Sequence, residues 1–308
     1  MKRLTILSCL TLMAALVPAQ ANTYYFQTTG SDSNQCTFAK PCRSFASTYL
    51  EANVAVGDTL LALDSVDFTN GGMQSDFAYA GLTIDGGEHG AFMVGAFFAT
   101  GTFGMISSGA NQPFVMRNIT VVASPGNAGL ILSLSSGGAA TLENVTIVCP
   151  GLGAIGILGN VSGGAVIHLK GVTILGQGTG VQIANQSGAP FSFAAENLLV
   201  DMSNQGAVLT DGYGVIRNSQ FRSTAGGATG LALLATTSTP TWMVDTCAFQ
   251  NLAFGMSVGG GSTARISNSE FTGNGFGIFS SGTTISFRNN VFAGNGTDGS
   301  PILTTSLK

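Results

Sequence analysis

The chain is poor in charge: Asp, Glu, Lys and Arg make up only 8% of its 308 residues. It has 11 basic and 15 acidic side chains and just two histidines, His89 and His168. Recognition of nucleic acid requires clustered Lys and Arg, and no such cluster occurs, so a nucleic-acid partner is excluded. The polybasic patch that would hold a protein to an anionic membrane surface is absent too. Beyond Val17 no apolar run is long enough to cross a bilayer, which excludes membrane insertion by a helix. Charge scarcity beside 44 glycines would suit a low-complexity chain, but 44% of residues are hydrophobic and they recur periodically. That pattern belongs to an ordered, turn-rich all-β protein.

The first 21 residues form a secretory signal peptide. Lys2 and Arg3 precede the apolar stretch Leu4 to Val17, and Ala19-Gln20-Ala21 is a small-residue cleavage site. The mature protein is expected to begin near Asn22 and to be secreted, either periplasmic or extracellular. Without Lys2 and Arg3 there remain 9 basic and 15 acidic groups, a net of about −6. Cys36 and Cys42 lie close in a loop-like stretch that contains Pro41, and an oxidising compartment favours a local disulfide between them.

What the chain has in abundance is one repeated phrase. A short apolar strand runs into an Asn, and a second apolar strand follows, as in Met116-Arg117-Asn118-Ile119-Thr120-Val121 and Leu142-Glu143-Asn144-Val145-Thr146-Ile147. The pivots are Asn118, Asn144, Gly171, Asn197, Asn218, Thr246, Asn268 and Asn289, at steps of 21 to 28 residues. Gly81 reads as an earlier pivot, and the glycine-rich stretch 88–112 as a protrusion or irregular coil. A second motif, Gly followed by an apolar strand, comes after most pivots, at Gly129, Gly180, Gly206, Gly230, Gly255 and Gly277. Three short strands per unit with no helical segment describe a parallel β-helix, whose units bury their apolar faces only by stacking. Residues 22–56 are expected to cap the open end, with one or two helical turns in 44–53, and residues 57–308 to form the β-helix.

Stacking in register converts the repeat into columns, and strand alternation assigns their faces. Two before the pivot, Met116, Leu142, Leu169, Ala195, Ile216, Val244, Ile266 and Phe287 point inward. Three after it, Val121, Ile147, Ile174 and Val200 give way to Phe221, Phe249, Phe271 and Phe292. Ser219, Cys247, Ser269 and Asn290, one past their pivots, make room for those rings. The asparagines form a structural ladder through Asn118, Asn144, Asn197, Asn218, Asn268 and Asn289, because Asn tolerates left-handed backbone and its amide bonds along a stack. The outward column Arg117, Glu143, Lys170, Glu196, Arg217, Asp245 alternates in sign and favours this register; Ser267 and Arg288 continue it. Cys149 and Cys247 fall four coils apart, ~19 Å at the strand spacing, too far to pair.

These coils resemble the right-handed parallel β-helices of the pectate-lyase-like superfamily. The opening, Gly30 to Cys36 with Lys40-Pro41-Cys42-Arg43, is similar to that of exported bacterial β-helix proteins of unassigned role. The resemblance implies an asparagine turn at the pivots. It also implies that a catalytic face, if present, is the strand after the Gly, whose outward residues are Ile131, Gln182, Val208, Ala232, Ser257 and Phe279. No acid is among them. The clustered aspartates and Gly-His-Gly of galacturonan hydrolases are missing. So is a carboxylate run fit for the six to eight oxygens that Ca²⁺ takes in lyases.

Three constellations remain as site candidates. Asp85, Glu88 and His89 share a glycine-rich loop and have the composition of an acid/base set, against the plainer reading of a solvated loop. Asp201 and Arg222, each four past its pivot, should be neighbours, as a surface ion pair or a sugar anchor. Asp211 and Tyr213 combine an acid with an aromatic beside the third strand. No cofactor or metal set is apparent. The expectation is a secreted β-helix that binds or scaffolds polysaccharide or another cell-envelope component without a catalytic set. The alternative is a polysaccharide lyase or glycoside hydrolase with a diverged site. Oligomeric state is not encoded in any of these features.

Overall fold

The computed structural model describes residues 21–69, 81–94, 104–107, 113–223, 227–287, 289–300 and 303–305. Residues 1–20, with nearly all of the expected signal peptide, lie outside this set, as does Arg288, the last member of the expected charge column. Among the described residues the strands form two wholly parallel sheets, of 19 and nine strands, with one six-residue helix, Thr48–Asn53. The chain coils through a strand before the pivot, a strand after it and a strand after the Gly, then starts again one layer further on.

The expected register holds over most of the stack. Met116 pairs with Leu142, Leu142 with Leu169, Leu169 with Ala195, Ala195 with Ile216, Ile216 with Val244 and Val244 with Ile266. Upstream the same column takes in Tyr24, Leu60 and Ile84, so the strand Thr23–Phe26 belongs to the stack. All of these side chains are buried. The second column runs from Val121 to Phe292 as read, and its rings stack nearly parallel. Centroids are 5.2 Å apart between Phe221 and Phe249, 4.7 Å between Phe249 and Phe271, and 5.0 Å between Phe271 and Phe292. Each fully buried ring contributes roughly 1.5–3 kcal/mol by leaving water.

The structure corrects three details of the reading. Asp85 pairs with Arg117, so the early pivot is Gly86, not Gly81. Five residues, Gly86 to Gly90, separate the two strands at that corner, where the next coil has Asn118 alone. Within the stretch 88–112, Ala91–Val94 and Gly104–Ser107 are not a protrusion; they pair with Ile119–Val122 and Ile131–Leu134 in the stack. In the coil of the last pivot, Asn289, Ile266 pairs with Ser286, whereas Phe271 pairs with Phe292. That corner therefore holds one extra residue, Ser286 takes the buried position and Phe287 is only half-buried.

The pivots bend the chain through the left-handed region: φ lies between 49° and 57° at Asn118, Asn144, Asn197, Asn218, Thr246 and Asn268, and is 63° at Gly171. The Gly of the third strand has a different cause. A Cβ on Gly156, Gly180 or Gly230 would stand 2.5 Å from the backbone oxygen of the matching Gly in the next coil. At Gly255 the distance is 2.6 Å. The column is glycine because adjacent coils approach too closely there for any side chain.

At the N-terminal end Ser47 caps the short helix, its Oγ accepting from Leu50 N at 3.5 Å. Cys36 and Cys42 are disulfide-bonded. Phe26, Phe45 and Phe68 pack together over the first coil, with ring centroids 4.7 to 5.5 Å apart. Cys149 and Cys247 are free and buried, and burial pushes their thiols up to about 11 and about 12.

Candidate functional site

The loop at 85–89 is built on the first corner of the asparagine ladder. Asp85 is buried at 7% exposure and its carboxylate is engaged on both oxygens. Oδ2 accepts from Arg117 Nε at 2.8 Å, and Oδ1 accepts from Asn118 Nδ2 at 3.1 Å and from Gly87 N at 2.9 Å. Asn144 Nδ2 then donates to Asn118 Oδ1 at 3.3 Å. Asp85 is thus the head of both the asparagine ladder and the alternating charge column. Glu88 and His89 are exposed on the turn. A cavity of about 510 Å³ opens beside them, lined by Glu88, Arg117, Asn118, Glu143 and Asn144 among others; His89 is not in its wall.

The charge column alternates in register from Asp85 to Asp245. Direct ion pairs form at Arg117–Asp85, 2.8 Å, and Arg217–Glu196, 3.1 Å. Both are partly solvated and each is worth under ~1 kcal/mol. Asp245 is held below the usual carboxylate range, first by Ser267 Oγ donating at 2.6 Å and further by Asn268 Nδ2 at 2.8 Å, against the opposing effect of burial.

Asp201 and Arg222 do stand side by side on adjacent strands, Arg222 Nε donating to Asp201 Oδ2 at 2.8 Å. Asp211 and Tyr213 are separated by burial. Tyr213 projects outward with 47% exposure, whereas Asp211 is buried at 1%. The Asp211 carboxylate accepts backbone N–H groups from Thr236 at 2.8 Å, Thr237 at 3.1 Å and Ser238 at 3.2 Å, and hydroxyls from the same three residues. Burial alone would raise this carboxyl, but the hydrogen bonds from Thr236, Thr237 and Ser238 outweigh it and hold it far below the usual range. Its left-handed backbone, φ 59°, places it to cap the 236–238 turn of the next coil. Asp211 is a structural cap without access to the face that Tyr213 occupies.

The outward column of the nine-strand sheet runs Ile131, Leu158, Gln182, Val208, Ala232, Ser257 and Phe279. Its aromatic neighbours Phe254 and Phe276 were not singled out from the sequence. The signal was there: in two successive units a Phe stands immediately before the repeat Gly. A second asparagine corner also went unread, in which Leu252 N donates to Asn274 Oδ1 at 3.0 Å and Asn274 N to Asn295 Oδ1 at 3.0 Å. Among the described residues no three His, Cys, Asp or Glu side chains gather in a way that could hold a metal ion.

Comparison with solved structures finds the same architecture in pectate lyase Pel9A, at a TM-score of 0.55 and 15% identity, covering 92% of this chain and 80% of that one. The fold is the pectate-lyase-like right-handed parallel β-helix. This β-helix is also similar to a GH136 lacto-N-biosidase from Eubacterium ramulus, at a TM-score of 0.45 and 10% identity over 93% of this chain and 68% of that one. A rhamnogalacturonan lyase gives a TM-score of 0.32 and 12% identity over 88% and 75%. No protein-family model and no curated protein matches the sequence. The β-helix has no described helix long and apolar enough to cross a membrane.

Proposed function

We propose that the protein is a secreted β-helix that binds polysaccharide at the cell exterior and does not turn it over. The observation that carries this reading is the commitment of three of the four candidate carboxylates to protein partners, Asp85 to Arg117 and Asn118, Asp201 to Arg222, and Asp211 to residues 236–238, with the fourth, Glu88, exposed on its turn. A general acid or base must reach the proton it moves within hydrogen-bond distance, and those three acids are already occupied by the stack. The fold shared with a pectate lyase supports a polysaccharide as the ligand class.

The test is incubation of the mature protein with polygalacturonate, rhamnogalacturonan and neutral glycans, following unsaturated products and new reducing ends, beside a binding measurement on the same polymers. Binding without turnover is expected. Turnover abolished by Asp201→Asn, or by Glu88→Gln with His89→Gln, would replace the proposal by a lyase or glycoside hydrolase with a diverged site.

A further inference from the structure

Three phenylalanines stand outside the coil stack at its C-terminal end. Phe276 and Phe279 are 38% and 48% exposed, and Phe254 is half-buried beneath them. Phe254 and Phe276 pair in register and stack at 5.4 Å with 15° between planes. Phe279 meets Phe254 at 5.4 Å and Phe276 at 6.0 Å, tilted and edge-on. The fold does not require these rings. In the preceding coils the Phe254 column holds Gln205 and Thr229, and the Phe279 column holds Ala232 and Ser257. Three touching aromatic rings, two of them exposed, where the two preceding coils carry smaller or polar residues, form an apolar patch of the kind that marks an interaction site.

A groove of about 460 Å³ runs beside the rings, along the corner where each coil turns into the third strand. Phe254 and Phe276 line it together with Asn251, Leu252, Ala253, Gly273 and Gly275, and Phe279 stands outside its wall. Asn251 is exposed, and the two exposed glycines add no side chain to the groove, their N–H groups bonding to Ala293 O and Leu252 O of the neighbouring coils. None of the lining residues is charged, and in the next coil the exposed Asp298 lies in register beside Gly277.

We propose that this shelf and groove bind a neutral polysaccharide. Apolar ring faces beside the uncharged amide of Asn251 match a sugar, which has an apolar C–H face and a rim of hydroxyls. A uronate polymer would bring a carboxylate to a place with no cation in the wall and Asp298 at hand. The proposal rests on the polysaccharide-binding reading and names the face and the ligand class.

The experiment is affinity electrophoresis of the mature protein through gels containing soluble β-glucan, xylan, galactomannan or polygalacturonate. Phe276→Ala, Phe279→Ala and, as an exposed control on the other sheet, Tyr213→Ala are run alongside, with sedimentation velocity on each. Retardation by a neutral polymer, weakened about two- to tenfold by each shelf substitution and unchanged by Tyr213→Ala, is the expected result. Equal retardation of all variants would overturn the shelf and leave polysaccharide binding in place. Retardation by polygalacturonate alone, lost on the shelf substitutions, would overturn the neutral ligand class. Self-association lost with Phe276→Ala would make the shelf an interface between copies, or for a protein ligand, and overturn the proposal. No retardation by any polymer would overturn both readings.

Discussion

Single residues in this protein do one of two jobs, and the structure separates them by burial. The pivot asparagines from Asn118 to Asn268 and Asp211 take left-handed backbone, and Asn118, Asn144, Asn268, Asn289 and Asp211 bond through their side chains to the neighbouring coil. Asp211 offers the clearest case, with a buried carboxylate satisfying three consecutive N–H groups. Asp211→Ala takes the acceptor away from three N–H groups on a turn where Thr236 and Thr237 are exposed and Ser238 is half-buried, and is expected to cost about 1–2 kcal/mol in denaturant unfolding, with Asp211→Asn losing less. A carboxyl held below its unfolded value contributes stability that is complete above the ordinary Asp range near ~3.9 and fades as pH falls toward the lowered value. Stability should therefore decline below about pH 4, and Asp211→Asn should flatten that decline in an acid titration followed by circular dichroism. The buried thiols make a second prediction at this scale. With Cys149 and Cys247 raised by burial, neither should react with a thiol reagent at neutral pH in the folded mature protein, and both should react after unfolding. Fast labelling of the native protein would contradict their placement.

At the scale of the strand and corner, three columns hold neighbouring coils together by different means. The Phe column fills volume: Phe249 sits between two parallel rings, and Phe249→Ala should cost about 3–5 kcal/mol in thermal or denaturant melting. The Gly column permits approach. Gly230→Ala places a methyl against Gly255 O and Leu252 and should cost about 1–3 kcal/mol, whereas Gly227→Ala, with nothing within 4 Å, should be near neutral. Equal melting temperatures for the two variants would rule out steric approach as the reason for the column. The corner column of Ser219, Ser269 and Asn290 was legible only as small residues beside large rings. Its actual work is to satisfy backbone. Ser219 Oγ accepts from Leu198 N at 3.2 Å, Ser269 Oγ from Cys247 N at 3.1 Å, and Asn290 Oδ1 from Ser269 N at 2.8 Å. Such bonds depend on the height of one coil above another, which no single repeat encodes.

On the scale of the whole molecule, the first and the last described coils of the stack differ in chemistry. The first coil lies under aromatic rings and a short helix tied down by the Cys36–Cys42 disulfide. The last described coils turn polar inside, with Thr284 Oγ1 donating to Ser280 Oγ at 3.0 Å and Ser286 in place of an apolar residue. Removing the disulfide with Cys36→Ser and Cys42→Ser should destabilise the cap by about 2 kcal/mol, given the shortness of the loop. In a solenoid that loss stays local, so hydrogen exchange should quicken at Tyr25 and Cys42, whose backbones bond across the loop, and stay slow at Val200 and Phe221. By itself the sequence determined the coil architecture, most of its register, the inward columns and the disulfide, because each is written as a fixed offset repeated through the chain. Only the tertiary structure decided where the polar candidates belong. Asp85 and Asp211 became parts of the scaffold, and Phe254, Phe276 and Phe279 met on the outer surface, whereas the neighbours Asp201 and Arg222 were already legible from their equal offsets. Burial and contact between coils depend on residues 20 or more positions apart, and the offsets themselves vary at corners such as 86–90 and 287–289.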